Sequence, residues 1–377
     1  MQPETQRPLK PEKTRFKADF SFVNWIRFVA MLSIVYEHCL DLHDPNTPAN
    51  YVNLNPNGHF VENISQAQAM PWIVQPMKFG TICFFLISGY LLGKHLTSDQ
   101  SPWSYYRRRL RVVGIPFLIA FGLYFLKHLG VYGLLIGRYD LSMLTPDFIQ
   151  NKIWITLFMS SYWFIFSFLI ALGLFFVFWR HSDSTLYGLV TGLIAVFYSV
   201  NIYFGWIEQR HNLAMPAYLF YLWLGVWLSR HENVITYIQK MPNKWLVGSV
   251  VLFLCLAVVE SKYLWSINSV SPFNTIRLSN QLFSMSFFAL LLKNDFSSKL
   301  VWLNPRSESF GIYLYHLYFI EAFSIFSTYF SFMLYSVDYT GLALAGITIL
   351  RWIIIYTLTL MFVKLVNQTR FRWLLGN

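Results

Sequence analysis

Apolar residues in this chain come in long blocks, and the polar residues between them are confined to short segments. A helix that crosses a bilayer needs about 20 mostly apolar residues, because each residue advances only about 1.5 Å through a core about 30 Å thick. Ten blocks meet or approach that length, at roughly 21–41, 72–93, 112–133, 154–178, 186–206, 213–229, 245–264, 280–293, 308–333 and 341–364. The sixth and eighth are short, and the eighth is open to a tilted or re-entrant reading. In hydrocarbon every backbone polar group must be satisfied inside its own segment, so such blocks predict helices. The expected fold is therefore all-α, a polytopic integral membrane helical bundle of about ten transmembrane helices. Residues 1–17 are polar and read as a disordered tail, and 18–377 as a single transmembrane domain. No signal-peptide cleavage pattern precedes or follows the first block, and no internal repeat of the kind that builds many transporters is visible.

Charge fixes the orientation. With the N-terminus inside, twenty of the 29 lysines and arginines fall in cytoplasmic segments, six in outer loops and three within spans. That asymmetry predicts both termini on the cytoplasmic side. The first outer loop, 42–71, has neither Lys nor Arg and is rich in Asn and Pro; it is open to two readings, a solvated loop or a binding mouth. Composition agrees with a membrane protein: 55% of residues are hydrophobic and 12% charged, about half the charged fraction of a soluble domain. The net charge of +11 does not point to nucleic acid, since the basic residues lie in the short loops that membrane topology requires. Cys39, Cys83 and Cys255 stand in apolar stretches without CxxC spacing, so buried packing is expected and no metal or redox site.

Charged and titratable residues inside the blocks are costly and need a reason. In the first block His38 follows Arg27 by eleven residues, which on a helix places the two within about 20° of each other and about 16 Å apart along the axis. Two readings stand for each. Arg27 either snorkels to the inner interface or lines a path, and His38 is either a hydrogen-bonded packing residue or a general base for a hydroxyl. Glu37 adjoins His38 but points about 100° away. His316 stands in the ninth block, and Glu321 and Arg351, at similar depth in the last two, predict an ion pair. The densest basic run is YYRRRLRVVGIP, 105–116. Its Arg108 and Arg111 share a helix face, which suits either phosphate or anionic membrane lipid.

Taken together, Arg27-x10-His38, FFLISGYLL (84–92), SPWSYYRRRLRVVGIP, YWFIFSFLIAL (162–172) and SFGIYLYH (309–316) resemble, in order and across essentially the whole chain, the membrane acyltransferase-3 family of bacterial carbohydrate O-acyltransferases. The resemblance implies a multi-pass protein of the bacterial inner membrane. Its donor would be a cytoplasmic acyl-CoA, acetyl-CoA first, and its acceptor a hydroxyl of a cell-surface carbohydrate or glycolipid. By that resemblance Arg107, Arg108 and Arg111 would hold the CoA phosphates and Arg27 would position the donor. His38 would deprotonate the acceptor or relay the acyl group, with Glu37 beside it. His316 would assist, and Ser88 and Trp163 would shape the acyl channel. Two departures stand out. VVG separates the arginines from IP by more than the family's common spacing, and VNWIR replaces the frequent LDGLR. No SGNH-type hydrolase segment is expected in this chain. Intramembrane Arg and His suit a glycan or lipid transporter as well, which is the alternative reading.

Overall fold

A computed structural model describes residues 21–40, 64–96, 101–129, 144–300, 302–329 and 341–377. The tail 1–17 and the loop 42–63 lie outside the described residues. Among those described every regular element is helical: α1 (Ser21–His38), α2 (Ile64–Val74), α3 (Gly80–His95), α4 (Pro102–Arg109), α5 (Ile115–His128), α6 (Pro146–Phe158), α7 (Trp163–Val177), α8 (Thr185–Phe204), α9 (Leu219–Arg230), α10 (Glu232–Lys240), α11 (Asn243–Ser266), α12 (Leu278–Lys293), α13 (Pro305–Tyr329) and α14 (Gly341–Asn367). Among the described residues five helices are long and apolar enough to cross a membrane, six if the bent pair α6–α7 forms one span. Each of the ten apolar blocks contains a helix, but α9 and α12 have only 12 and 16 residues. Helices α1 and α13 carry charges along their length, Arg27 and Glu37 in one and Arg306, Glu308 and Glu321 in the other.

Breaks fall where side chains interrupt the helical ladder. The expected single helix over 154–178 is two helices bent by 78°. Ser160 is the cause: its hydroxyl donates to the Thr156 carbonyl at 2.5 Å and accepts from the Tyr162 amide at 3.2 Å, replacing backbone bonds. Between α4 and α5 the chain widens into a π turn, Leu110–Gly114. Pro116 has no amide hydrogen to return to the Val112 carbonyl, and a π turn absorbs one extra residue without ending the helix. The VVG that lengthens this segment lies inside that turn. The loop expected over 42–71 is already helical from Ile64. Helices α2 and α3 are joined by a 3-10 turn, Gln75–Met77, which α1 holds: the Ser33 hydroxyl donates to the Met77 carbonyl at 2.7 Å and accepts from the Gly80 amide at 3.0 Å.

Helices α3 and α9 make the closest crossing. A Cβ on Gly225 would stand 2.2 Å from the Leu86 carbonyl oxygen, and one on Gly89 would stand 2.2 Å from the Leu222 carbonyl oxygen. Small residues let backbones approach and gain packing where lipid offers no hydrophobic drive. The SG of FFLISGYLL is thus a packing signature at Gly89, with Ser88 half-buried next to it.

Three expectations about charges and cysteines are corrected. Arg277, counted as an outer-loop charge, is fully buried. It donates to the Gln75 side chain, the Ser261 hydroxyl, and the carbonyls of Ala257 (2.8 Å) and Asn274 (3.0 Å). It thereby ties the α2–α3 turn to α11 and α12. Glu321 pairs not with Arg351 but with Lys127, and it accepts from the Tyr124 hydroxyl at 2.5 Å. A carboxylate takes the partners that packing brings to it, and α5 lies against α13 here. Cys255 is exposed on the outward face of α11, whereas Cys39 and Cys83 are buried as expected.

Candidate functional site

Helix α1 runs unbroken from Ser21 to His38, so Arg27 and His38 project toward nearly the same side, about 16 Å apart along its axis. Helix α13 packs against it. The imidazoles of His38 and His316 meet with ring centroids 5.2 Å apart and planes inclined at 42°. Both helices carry an arginine toward the N-terminal end and a histidine further on. Arg27 lies within electrostatic range of Arg306 on α13 and of Arg109 on α4. The two helices therefore run parallel, with histidines gathered at one level and arginines at another.

The histidine end has a defined chemistry. His316 is fully buried. Its Nδ1 lies 2.8 Å from the Tyr313 carbonyl oxygen and 3.2 Å from that of Ile312. Carbonyl oxygens only accept, so Nδ1 carries the hydrogen and Nε2 carries the lone pair of the neutral ring. That Nε2 is buried without a hydrogen-bond partner among the described residues. His316 thus presents an unused acceptor in a ring that faces His38. Glu37 is not directed at the histidine: it pairs with Lys78, itself almost fully buried. Beyond His38 lies a third imidazole, His211, in the segment between α8 and α9. It stands within electrostatic range of His38 and Lys78 and edge-on to Trp163, with ring centroids 5.1 Å apart. Burial first, and then Lys78, His38 and Arg277 within electrostatic range, hold His211 well below the usual histidine range.

At the arginine end the side chain of the basic run within electrostatic range of Arg27 is Arg109. Its Nε donates to the Tyr105 hydroxyl at 2.9 Å, and its guanidinium lies over the Tyr105 ring at 5.2 Å, with Arg108 at 5.4 Å. Tyr105 is buried and so fixes where Arg109 points. Arg107, Arg108 and Arg111 are exposed, and Arg111 falls within the π turn. Arg27 itself donates to the Asn24 side chain at 3.1 Å. Several guanidinium groups drawn together repel one another unless an anion joins them, and their planar forks match phosphate oxygens.

Sequence reasoning passed over Arg109, Arg306 and His211. For two of them a signal was present. Tyr105 and Arg109 are four residues apart, on one helix face, and Arg306 precedes His316 by ten residues much as Arg27 precedes His38 by eleven. His211 stands in the polar stretch EQRHN with nothing to mark it.

A family profile described as an acyltransferase domain matches residues 20–375. No curated protein and no solved structure matches the chain.

Proposed function

The chain belongs to the membrane acyltransferase-3 family, and from that membership we propose that it moves an acyl group, acetyl in the first instance, from cytoplasmic acyl-CoA to a hydroxyl of a cell-surface glycan or glycolipid. The observation that supports this reading is the two-ended arrangement of α1 and α13. Arg27, Arg109 and Arg306 gather at one level and His38 and His316 at the other, separated by about 16 Å. An extended pantetheine arm covers such a distance, so CoA phosphates at the arginines would deliver a thioester to the histidines.

The reaction then needs one proton carrier and one oriented acceptor. His38 takes the proton of the acceptor hydroxyl as its oxygen attacks the thioester carbonyl. The tetrahedral intermediate collapses by breaking the carbon–sulfur bond, and the proton passes to the departing thiolate, leaving an ester and free CoA. His316 keeps its Nε2 lone pair beside His38 and steadies the imidazolium that forms there. By the family resemblance Trp163 and Ser88 would shape the acyl channel. The positive-inside asymmetry supports an even number of spans with both termini cytoplasmic; in that orientation the arginine end faces the side where acyl-CoA is made, and the family resemblance favours the inner membrane of a bacterial cell.

Purified protein incubated with radiolabelled acetyl-CoA and envelope polysaccharide should yield an alkali-labile, labelled glycan ester; absence of labelled ester would contradict the reading. The donor assignment makes a separate prediction. Arg109→Gln and Arg27→Gln should each weaken CoA binding about 10- to 100-fold, the loss of one charge-assisted hydrogen bond to phosphate. Titration calorimetry with CoA in detergent measures this. Unchanged affinity in both variants would make these arginines topology anchors alone.

A further inference from the structure

The segment between α8 and α9 is held far more firmly than a connector requires. It leaves α8 at Gly205, whose φ of +62° favours a residue without a Cβ. The Asn201 side chain then brackets Ile207, donating to its carbonyl at 3.0 Å and accepting from its amide at 2.9 Å. Asn274 donates to the Gln209 carbonyl at 2.6 Å. The Asn212 amide donates to the Phe158 carbonyl at the α6–α7 break, and the Tyr218 hydroxyl donates to the His211 carbonyl at 3.3 Å. Four separate parts of the bundle thus fix the backbone on both sides of His211.

What this scaffold presents is a third imidazole at the histidine end. His211 packs edge-on against Trp163, lies within electrostatic range of His38, and has a buried Nδ1 with no partner among the described residues. A buried polar nitrogen left unpaired costs stability, and a rigid loop that maintains one within electrostatic range of His38 points to a ligand that completes it. The geometry points to His211 as an acceptor-binding residue that hydrogen-bonds through Nδ1 to a second hydroxyl of a polyhydroxylic acceptor while His38 deprotonates the first. This rests on the reading of the protein as an O-acyltransferase with its acceptor at the histidine end. It adds a selectivity element: a polyol engages both imidazoles, whereas a simple alcohol engages only His38.

The test compares two acceptor probes, methyl glucoside and methanol, with labelled acetyl-CoA and full-length protein in detergent. The quantity read is the ratio of their kcat/KM values. His211→Ala should lower that ratio about 3- to 10-fold, the loss of one neutral hydrogen bond, with the fall carried by the KM for glucoside. The side-chain amide of Asn occupies the place of Nδ1 and that of Gln the place of Nε2, so His211→Asn should restore the ratio and His211→Gln should not. CoA binding and elution volume report whether each variant is folded. A ratio that stays unchanged in folded His211→Ala, or that Gln restores where Asn does not, overturns the assignment. No labelled product from the wild-type protein with either probe overturns the transferase reading itself, a separate result.

Discussion

Replacing His38 by alanine should lower acyl transfer about 100- to 10,000-fold, the usual contribution of a positioned general base, while leaving the protein folded and able to bind CoA. The fold should survive because His38 lies at the C-terminal end of α1 and is only partly buried, so its loss opens no deep cavity. Binding should survive because Arg27, proposed to receive the donor, lies about 16 Å away along the same helix. The pattern to look for in steady-state kinetics is therefore a fall in kcat with little change in the KM for acetyl-CoA. His316→Gln adds a finer test of the same site. Its amide nitrogen and oxygen reach the position of Nε2, so it should retain more activity than His316→Ala. A His38→Ala enzyme with near-normal kcat would remove His38 from the chemistry.

Gly225→Val should have the largest effect on folding. The substituted Cβ would stand 2.2 Å from the Leu86 carbonyl oxygen, 2.7 Å from the Tyr90 amide nitrogen and 2.9 Å from the Gly89 Cα. These are backbone atoms of a packed helix and cannot turn aside as a side chain does, so α3 and α9 must separate along their crossing. Overpacking costs about 1–3 kcal/mol where side chains can adjust, and here they cannot. Little monodisperse protein is expected on size exclusion, and even Gly225→Ala should lower the melting temperature. Gly248→Ala is the control: nothing lies within 4 Å of a Cβ there, and the gain in helix propensity makes it neutral or slightly stabilising.

What the sequence made legible, and what it hid, follows from the range of the interactions. Helices were readable because bilayer thickness and backbone satisfaction act on each apolar block alone. The α6–α7 bend was not, because a hydroxyl at Ser160 in an otherwise apolar run gives no warning that it will displace backbone bonds. Lys and Arg content says which side a loop faces but not whether a given charge is solvated, so Arg277 read as a loop residue although it is buried among side chains and carbonyls from three segments. The Glu321 pairing failed for a similar reason. Depth along two sequential helices was matched, but the helix that packs its cation against Glu321 is α5, nearly 200 residues earlier. At the candidate site the Arg27–His38 spacing was local and therefore visible. The meeting of His38 with His316, 278 positions apart, depends on α1 and α13 being neighbours, which no local pattern encodes. Within the basic run, which arginine turns inward is decided by Tyr105.

The proposed route runs from a donor level at Arg27, Arg109 and Arg306 to an acceptor level at His38 and His316. It is tested most directly in proteoliposomes of uniform orientation, with labelled acetyl-CoA confined to the face bearing the arginines and a glycan acceptor to the opposite face. Labelled glycan ester is expected from the wild-type protein and none above background from His38→Ala. Label that reaches the glycan only when donor and acceptor share one face, or that appears equally with His38→Ala, would contradict it.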